Sequence, residues 1–175
     1  MAGAIEVRAV RSDEPPADAL VGGMVEAITE MYGPLEDRNA PSATPAELWA
    51  PHGTYLVISE DGVPVAGGGL KRLSDDACEI KRMFVVPEAR GRGHARRLLA
   101  ALEDAARELG YERTRLDTGP KQPHARALYL SAGYAPVADY NGNAVATFWG
   151  EKALATDAAS APVPAATSAS PRPAG

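Results

Sequence analysis

The sequence predicts an α/β fold in which helices flank a mixed central sheet of about six to seven strands. The first observation is a strand-like segment, residues 79–86, followed by a helical pattern that ends at Gly110 and by a second strand-like segment, residues 111–118. Because a helix crosses between these two strands, we expect them to be parallel. The second observation is a pair of hairpin patterns, one on each side of this unit, which adds antiparallel strands.

The N-terminal segment predicts one strand and one helix. Residues 5–10 alternate apolar and polar side chains, which is the period of a half-buried strand. A helix that ends near Tyr32 should follow, because apolar side chains recur at helical spacing at Leu20, Met24, Ile28 and Met31. Prolines interrupt residues 35–51, so only a short helix at residues 46–49 fits there. We expect this loop to contribute to substrate selectivity.

The next two strands, residues 54–59 and 63–73, are joined by the turn at residues 60–62 and predict a hairpin. Residues 67–69 are all glycine, which indicates a bulge or a close approach of the backbone to a ligand or a helix. The central strand at residues 79–86 then ends at a proline.

The C-terminal part predicts a helix, a hairpin and a tail. The helix begins at Pro123, and its apolar stripe consists of Ala125, Leu128 and Ala132. Residues 137–138 and 144–149 predict a final hairpin that turns at Asn141-Gly142. Residues 155–175 are rich in Ala, Pro, Ser and Thr, which cannot bury a core, so we expect a disordered tail after a single folded domain at residues 1–154.

Composition excludes several classes of protein. The chain has 175 residues and no apolar run as long as the ~20 residues of a membrane span, so we expect no membrane insertion. Its formal net charge of −5 argues against nucleic-acid binding. No signal-peptide pattern opens it, and a lone cysteine cannot form an internal disulfide, which favours the cytoplasm. We expect Cys78 to be a buried thiol. The three histidines lack a metal-ligand spacing, so no metal is predicted.

Two glycines, Gly91 and Gly93, lie between the central strand and the N-terminus of the following helix. The first N–H groups of a helix lack internal partners and carry the positive end of the helix dipole, so an anion fits there. Residues 79–97 contain six basic side chains and two acidic ones, which favours a polyphosphate. The spacing matches neither a P-loop nor a dinucleotide fingerprint, since Arg96 stands at the third glycine position.

The segment Arg90-Gly91-Arg92-Gly93-His94-Ala95 fits the pattern R/Q-x-x-G-x-G/A, and the sequence ALYLSAGY follows it at residues 127–134. In these motifs the chain resembles the GCN5-related N-acetyltransferase superfamily. The resemblance implies the fold of that family, in which the central and fifth strands splay to admit acetyl-CoA. It also implies a set of cofactor-binding residues: Met83, Phe84, Val85, Arg90, Gly91, Arg92, Gly93, His94, Ala95, Arg96 and Gln122.

The same resemblance implies three catalytic roles. Glu79 matches a glutamate that acts as a base in several members of the family, and the alternative is a carboxylate that only pairs with Lys81. The N–H of Val85 matches the donor that stabilises the oxyanion. Tyr129 matches the acid that protonates the departing thiolate, and the alternative is a tyrosine that packs at the edge of its helix.

We therefore expect an acetyl-CoA-dependent N-acetyltransferase that acts on an amine of a small molecule by direct transfer. Two alternatives stay open at this point: acetylation of a protein lysine or N-terminus, and binding of acyl-CoA without catalysis. The expected partners are acetyl-CoA and the amine acceptor, and assembly as a homodimer is left open.

Overall fold

The computed structural model describes residues 3–34 and 42–155. These residues form a seven-stranded sheet in the order β1-β2-β3-β4-β5-β7-β6. All neighbouring strands are antiparallel except β4 and β5, which are parallel. The strands are β1 (Ile5–Ala9), β2 (Thr54–Glu60), β3 (Val63–Arg72), β4 (Ala77–Val85), β5 (Arg113–Thr118), β6 (Ala135–Pro136) and β7 (Phe148–Ala153). The helices are α1 (Ala17–Tyr32), α2 (His94–Glu108) and α3 (Pro123–Ser131).

The predicted mixed α/β sheet is thus confirmed, with a helix on each face. On one face α1 packs through Ala17 and Leu20 against Tyr55 and Val57 of β2. On the other face α2 packs through a buried leucine row against the alternate residues of β2, beginning with Leu56. Adjacent residues of a strand point to opposite faces, so one strand supplies both cores. Each fully buried leucine contributes about 1.5–3 kcal/mol relative to an exposed one.

β4 and β5 pair over only a short length. The parallel ladder joins Ala77, Cys78 and Glu79 to residues 113–115, although β4 continues to Val85 and β5 to Thr118. Beyond Glu79 the two strands are therefore no longer paired, and a gap opens between them. The splay that the family resemblance implied is present.

The three glycines of β3 lie beneath side chains. A Cβ atom at Gly68 would lie 3.0 Å from Met83 and 3.3 Å from Leu98 and Leu102. The same stretch carries a bulge, because Gly67 pairs with Phe84 and Gly69 with Lys81, which leaves one residue of β3 opposite two of β4. Both parts of the prediction for these glycines, a bulge and a close approach to a helix, are confirmed.

The bulge places Arg82 in the left-handed region with φ 58°. This conformation costs a non-glycine residue about 1 kcal/mol. Backbone strain of this kind persists only where the surrounding structure holds it in place. A bulge also changes the direction of the side chain at the bulged position, which here is Arg82.

Two local predictions are wrong. Residues 45–48 form turns instead of a helix, with a single helical-type hydrogen bond from Leu48 N to Thr44 O (3.2 Å). The final hairpin pairs β6 with β7 through Ala135 and Glu151, so residues 137–147 are a long connection and Asn141-Gly142 is not its tight turn. The side chain of Asn141 is bonded elsewhere, which overrides the local turn preference.

Part of the sequence lies outside the described residues, namely positions 35–41 of the predicted loop and positions 156–175 of the predicted tail. Within the described residues, no helix combines the length and apolar character that a membrane crossing requires. Cys78 is a free, buried thiol as predicted, and burial raises its pKa from 9.0 to about 12.

Candidate active-site cleft

A cleft of about 1180 Å³ occupies the gap between β4 and β5. This volume is sufficient for a drug-sized ligand. Its walls include the bulged end of β4, the C-terminal half of α1, the N-terminus of α2, the end of β5, α3 and the segment at residues 143–146. Part of the apolar stripe of α1 belongs to this wall and not to the core, namely Met24, Ile28 and Met31.

The turn before α2 forms one end of the cleft. Gly91 (φ 78°) and Gly93 (φ 83°) are both left-handed, and a Cβ atom on either would meet open space. A glycine adopts this conformation without the steric cost of a side chain. Gly93 directly precedes α2, so the free N–H groups of the helix begin at the cleft. The backbone here has the geometry of an anion site.

The arginines of this turn have different partners. Arg90 lines the cleft and donates from Nε to Val85 O (3.2 Å). Arg96 also lines it and donates to Ser131 Oγ (2.8 Å). Arg92 instead pairs with Glu60 Oε2 (2.8 Å), and it does not line the cleft. Two of the three predicted arginine side chains thus contribute positive charge to the cleft.

His94, the first residue of α2, combines a cleft-lining position with a buried ring. The residue is 1% exposed, and neither ring nitrogen has a hydrogen-bond partner among the described residues. Its Nε2 lies 3.4 Å from Glu60 Oε2. Gln122 also lines the cleft at the start of α3, where its Oε1 accepts a hydrogen bond from Thr118 Oγ1 (3.3 Å).

The backbone of Val85 faces the gap. Val86 N donates to Val65 O (2.9 Å), so Val86 and Val65 form a hydrogen-bonded pair of the antiparallel ladder. Such pairs alternate with pairs that exchange no hydrogen bonds, and Val85 with Ala66 is the next pair along. The N–H and C=O of Val85 therefore point away from β3, toward the side where β5 has separated.

Tyr129 is the most buried side chain of α3, with 7% exposure, and it lines the cleft. Its hydroxyl lies 3.9 Å from Met83 Sδ, which is a weak acceptor. Burial, and secondarily the charge of Asp117, raises the pKa of Tyr129 above the ordinary value for a phenol. The hydroxyl is therefore protonated at neutral pH and available as a donor.

Glu79 lies behind the wall of the cleft. It is 1% exposed, and its Oε1 accepts hydrogen bonds from Tyr140 (2.9 Å) and Asn141 (2.8 Å) and pairs with Lys81 Nζ (3.0 Å). The pairing with Lys81 that the sequence suggested is present, but on a buried carboxylate. Burial, and next the charge of Glu79, raises the pKa of Tyr140.

Asp117 lines the cleft where Glu79 does not. Its Oδ2 accepts from Asn141 Nδ2 (2.5 Å) and Asn143 Nδ2 (3.2 Å) and lies 3.5 Å from Lys81 Nζ. Sequence reasoning missed Asp117, Tyr140, Asn141 and Asn143. The clustering of Asn141 and Asn143 beside Tyr140 in a segment without strand periodicity was an available signal, but it was interpreted as a turn.

Of the predicted site residues, all except Arg92 and Glu79 line the cleft. The described part of the chain contains no group of three or more His, Cys, Asp or Glu side chains placed to hold a metal ion. The arrangement combines a turn with the geometry of an anion site, a backbone donor directed away from β3, a buried phenol and a carboxylate around one cavity, which suits acyl transfer from a phosphorylated carrier.

The sequence model described as "Acetyltransferase (GNAT) family" matches residues 23–134, which is more than half of the chain. The chain belongs to the GNAT acetyltransferase family. The family membership that was predicted from the motifs is confirmed. Acetyl-CoA as the cosubstrate used by this family is confirmed as well.

Individual relatives agree with this assignment. The chain is 32% identical over 143 residues to the uncharacterised N-acetyltransferase YjgM of Escherichia coli. The aligned residues cover 77% of this chain and 83% of that protein. It is 33% identical over 128 residues to an IAA acetyltransferase of Azospirillum brasilense, covering 72% and 83%. A crystal structure from Klebsiella pneumoniae, provisionally assigned as an acyl-CoA N-acyltransferase, superposes with a TM-score of 0.67 at 27% identity, over 86% of this chain and 97% of that one.

Proposed function

We propose that this protein transfers the acetyl group of acetyl-CoA directly to the amine of a small molecule. The observation that carries the proposal is that one cavity contains the anion-binding turn at Gly93, the phenol of Tyr129 and the carboxylate of Asp117. The C-terminal half of α1 walls this cavity, which favours a small acceptor over an extended chain.

The turn between Arg90 and Arg96 would hold the pyrophosphate through backbone N–H groups and the two cleft-facing arginines. Met83 and Phe84 would contact the pantetheine arm in the gap between β4 and β5. Unpaired backbone groups at the edge of β4 can bind such an arm in the manner of an added strand.

The amine must lose a proton when its nitrogen forms a bond to the acetyl carbon, because a free alkylamine has a pKa near ~10.4. We assign the base to Glu79. Since Asp117 and Lys81 separate Glu79 from the cleft, the proton would reach it through water or the neighbouring carboxylate of Asp117.

The carbonyl oxygen of the acetyl group gains negative charge as the nitrogen attacks, and the Val85 N–H is directed into the gap where it can stabilise that charge. When the carbon–sulfur bond breaks, Tyr129 would donate its proton to the sulfur. Because burial raises the pKa of this phenol, the tyrosinate that results must quickly recover a proton.

The test is the release of free CoA thiol from acetyl-CoA across a panel of amines, with a panel of peptides as the protein-acceptor arm. The proposal predicts release that depends on a small amine. Acetyl-CoA binding without release in any arm would instead identify an acyl-CoA-binding module, and release only with peptides would identify a protein acetyltransferase.

A further inference from the structure

Arg82 differs from the other cations on its face of the sheet in the groups that it contacts. The bulge in β4 directs its side chain toward Ser42 and Ala43, and its Nη2 donates to Ala43 O and lies 3.5 Å from Ser42 Oγ. Lys71 Nζ contacts Ser42 O on the same side (3.3 Å), and Lys71 is the register partner of Glu79. Arg82 is therefore on the face that carries the network around Glu79.

Among the described residues, the two lysines of this face pair with carboxylates, whereas Arg82 does not. Lys71 pairs with Glu47 (3.4 Å), and Lys81 pairs with Glu79 (3.0 Å) and lies 3.5 Å from Asp117. Glu47 attracts Arg82 electrostatically, but within residues 3–34 and 42–155 no carboxylate oxygen lies within ion-pair distance of Arg82. Arg82 is half-buried and lines the cleft, so a guanidinium without a carboxylate partner from that part of the chain is presented to a ligand.

Asp117 offers the opposite charge in the same cleft. The contacts from Asn141, Asn143 and Lys81 all converge on its Oδ2. Its Oδ1 has no hydrogen bond from the described residues, and the side chain is 11% exposed at the cleft. A carboxylate oxygen of this kind is suited to accept hydrogen bonds from an ammonium group.

We propose that the acceptor is a primary amine that also carries a carboxylate or a phosphonate, with Arg82 binding the anionic group and Asp117 Oδ1 binding the amine. Guanidinium binds either anion through two parallel hydrogen bonds, which fixes the orientation of the acceptor as well as its charge. The inference rests on the proposed N-acetyltransferase function and names the substrate class of that site.

The first experiment compares matched amines at saturating acetyl-CoA by thiol release. The anionic amines are 3-aminopropanoate, 4-aminobutanoate, α-amino acids and 2-aminoethylphosphonate, and the controls of similar size are propylamine, 2-aminoethanol and 1,3-diaminopropane. We expect kcat/KM to be at least about tenfold higher for one of the anionic amines than for its neutral counterpart. The ratio between 3-aminopropanoate and 2-aminoethylphosphonate identifies which anion the site prefers.

The second experiment compares Arg82→Gln with the parent. Glutamine keeps an amide donor for Ala43 O and removes the charge. We expect KM for the anionic amine to rise by about tenfold or more and the preference over the neutral amine to fall toward one, while calorimetry gives an unchanged Kd for acetyl-CoA. Arg82→Lys should recover part of the preference. The matched control Arg72→Gln removes an exposed arginine that pairs with Asp75 outside the cleft, and it should retain the preference.

Neutral amines that are acetylated as well as anionic ones, or an unchanged preference in Arg82→Gln, would overturn the inference and leave the proposed function standing. Turnover with none of the amines, while acetyl-CoA still binds, would overturn the proposed function and this inference with it.

Discussion

The two ends of the cleft are built in different ways. The proposed cofactor end is a single contiguous turn, Arg90 to Arg96, which offers backbone N–H groups next to two left-handed glycines. The proposed acceptor end is assembled from side chains of three distant segments: the bulge at Arg82, the end of β5 at Asp117 and the connection at residues 140–143.

This difference shows what each end requires of the sequence. A turn that uses its own amides needs glycines at fixed spacing and a helix behind them, and both are local properties. A side-chain network needs partners that the fold brings together from positions such as 79, 117 and 141. The cofactor end should therefore respond to changes in backbone conformation, and the acceptor end to the loss of single polar groups.

Tyr129→Phe should have the largest effect on turnover among the side-chain changes. If the phenol protonates the departing thiolate, the single-turnover rate should fall by about 10² or more while acetyl-CoA affinity is maintained. Tyr134→Phe is the matched control, because Tyr134 packs against Tyr129 and its hydroxyl bonds Thr114 Oγ1 (2.8 Å) outside the cleft.

The control variant should lose about 0.5–1.5 kcal/mol of stability with turnover retained. Equal single-turnover rates in the parent and Tyr129→Phe would remove Tyr129 from the chemistry and leave it with a packing role.

Asn141→Ala should impair the acceptor end of the cleft and leave the cofactor end unchanged. Asn141 Nδ2 donates to both Glu79 and Asp117, and hydrogen bonds to charged groups contribute about 1.5–3 kcal/mol each. We expect kcat/KM for the acceptor to fall by about tenfold or more, with the Kd of acetyl-CoA within about twofold of the parent.

Asn143→Ala removes one contact to Asp117 and the hydrogen bond that Val145 N donates to Asn143 Oδ1 (3.1 Å), but no contact to Glu79, so it should have a smaller effect in the same direction. A change in acetyl-CoA affinity that matches the loss in acceptor kinetics would show that the two ends do not act separately.

The contrast between the ends also explains what the sequence could predict. Periodicity identified the seven strands to within a few residues except at the final hairpin, and the turn before α2 was identified from Gly91 and Gly93. The hairpin was misplaced because Asn141 and Gly142 have a strong local turn preference, whereas the carboxylates of Glu79 and Asp117 bind the Asn141 side chain in the fold. Nothing local to Asp117 indicates that it will face a cavity.

Cys78→Ala tests the part of β4 where the strand still pairs with β5. Burial raises the pKa of Cys78 to about 12, whereas the unfolded thiol titrates near 9.0. A raised pKa in the folded state means that the thiol favours folding below pH 9.0 and that this contribution is lost between about pH 9 and about pH 12.

Over that pH interval, the free energy of unfolding of the parent should therefore fall more steeply than that of the alanine variant. Denaturant unfolding at several pH values measures both curves. Curves that stay parallel would contradict the burial of the thiol.

Deletion of residues 157–175 should have the smallest effect. A segment of this composition buries little surface, so we expect the free energy of unfolding to stay within about 0.5 kcal/mol of the parent. Thermal and denaturant melts compare the two chains. A clear drop in stability would show that the segment docks on the domain and contributes to its core or its cleft.

The most direct test of the proposed pyrophosphate site is the acetyl-CoA affinity of Gly93→Glu. The substitution adds a carboxylate at the N-terminus of α2, where the pyrophosphate is proposed to bind, and Gly93 lines the cleft. Gly110→Glu is a closely matched control, because Gly110 is also left-handed (φ 89°), is exposed and has open space around its Cβ position beyond the other end of α2. Calorimetry should show binding abolished in Gly93→Glu and retained in Gly110→Glu, with both variants folded. Unchanged affinity in a folded Gly93→Glu would contradict the assignment of this turn to the pyrophosphate.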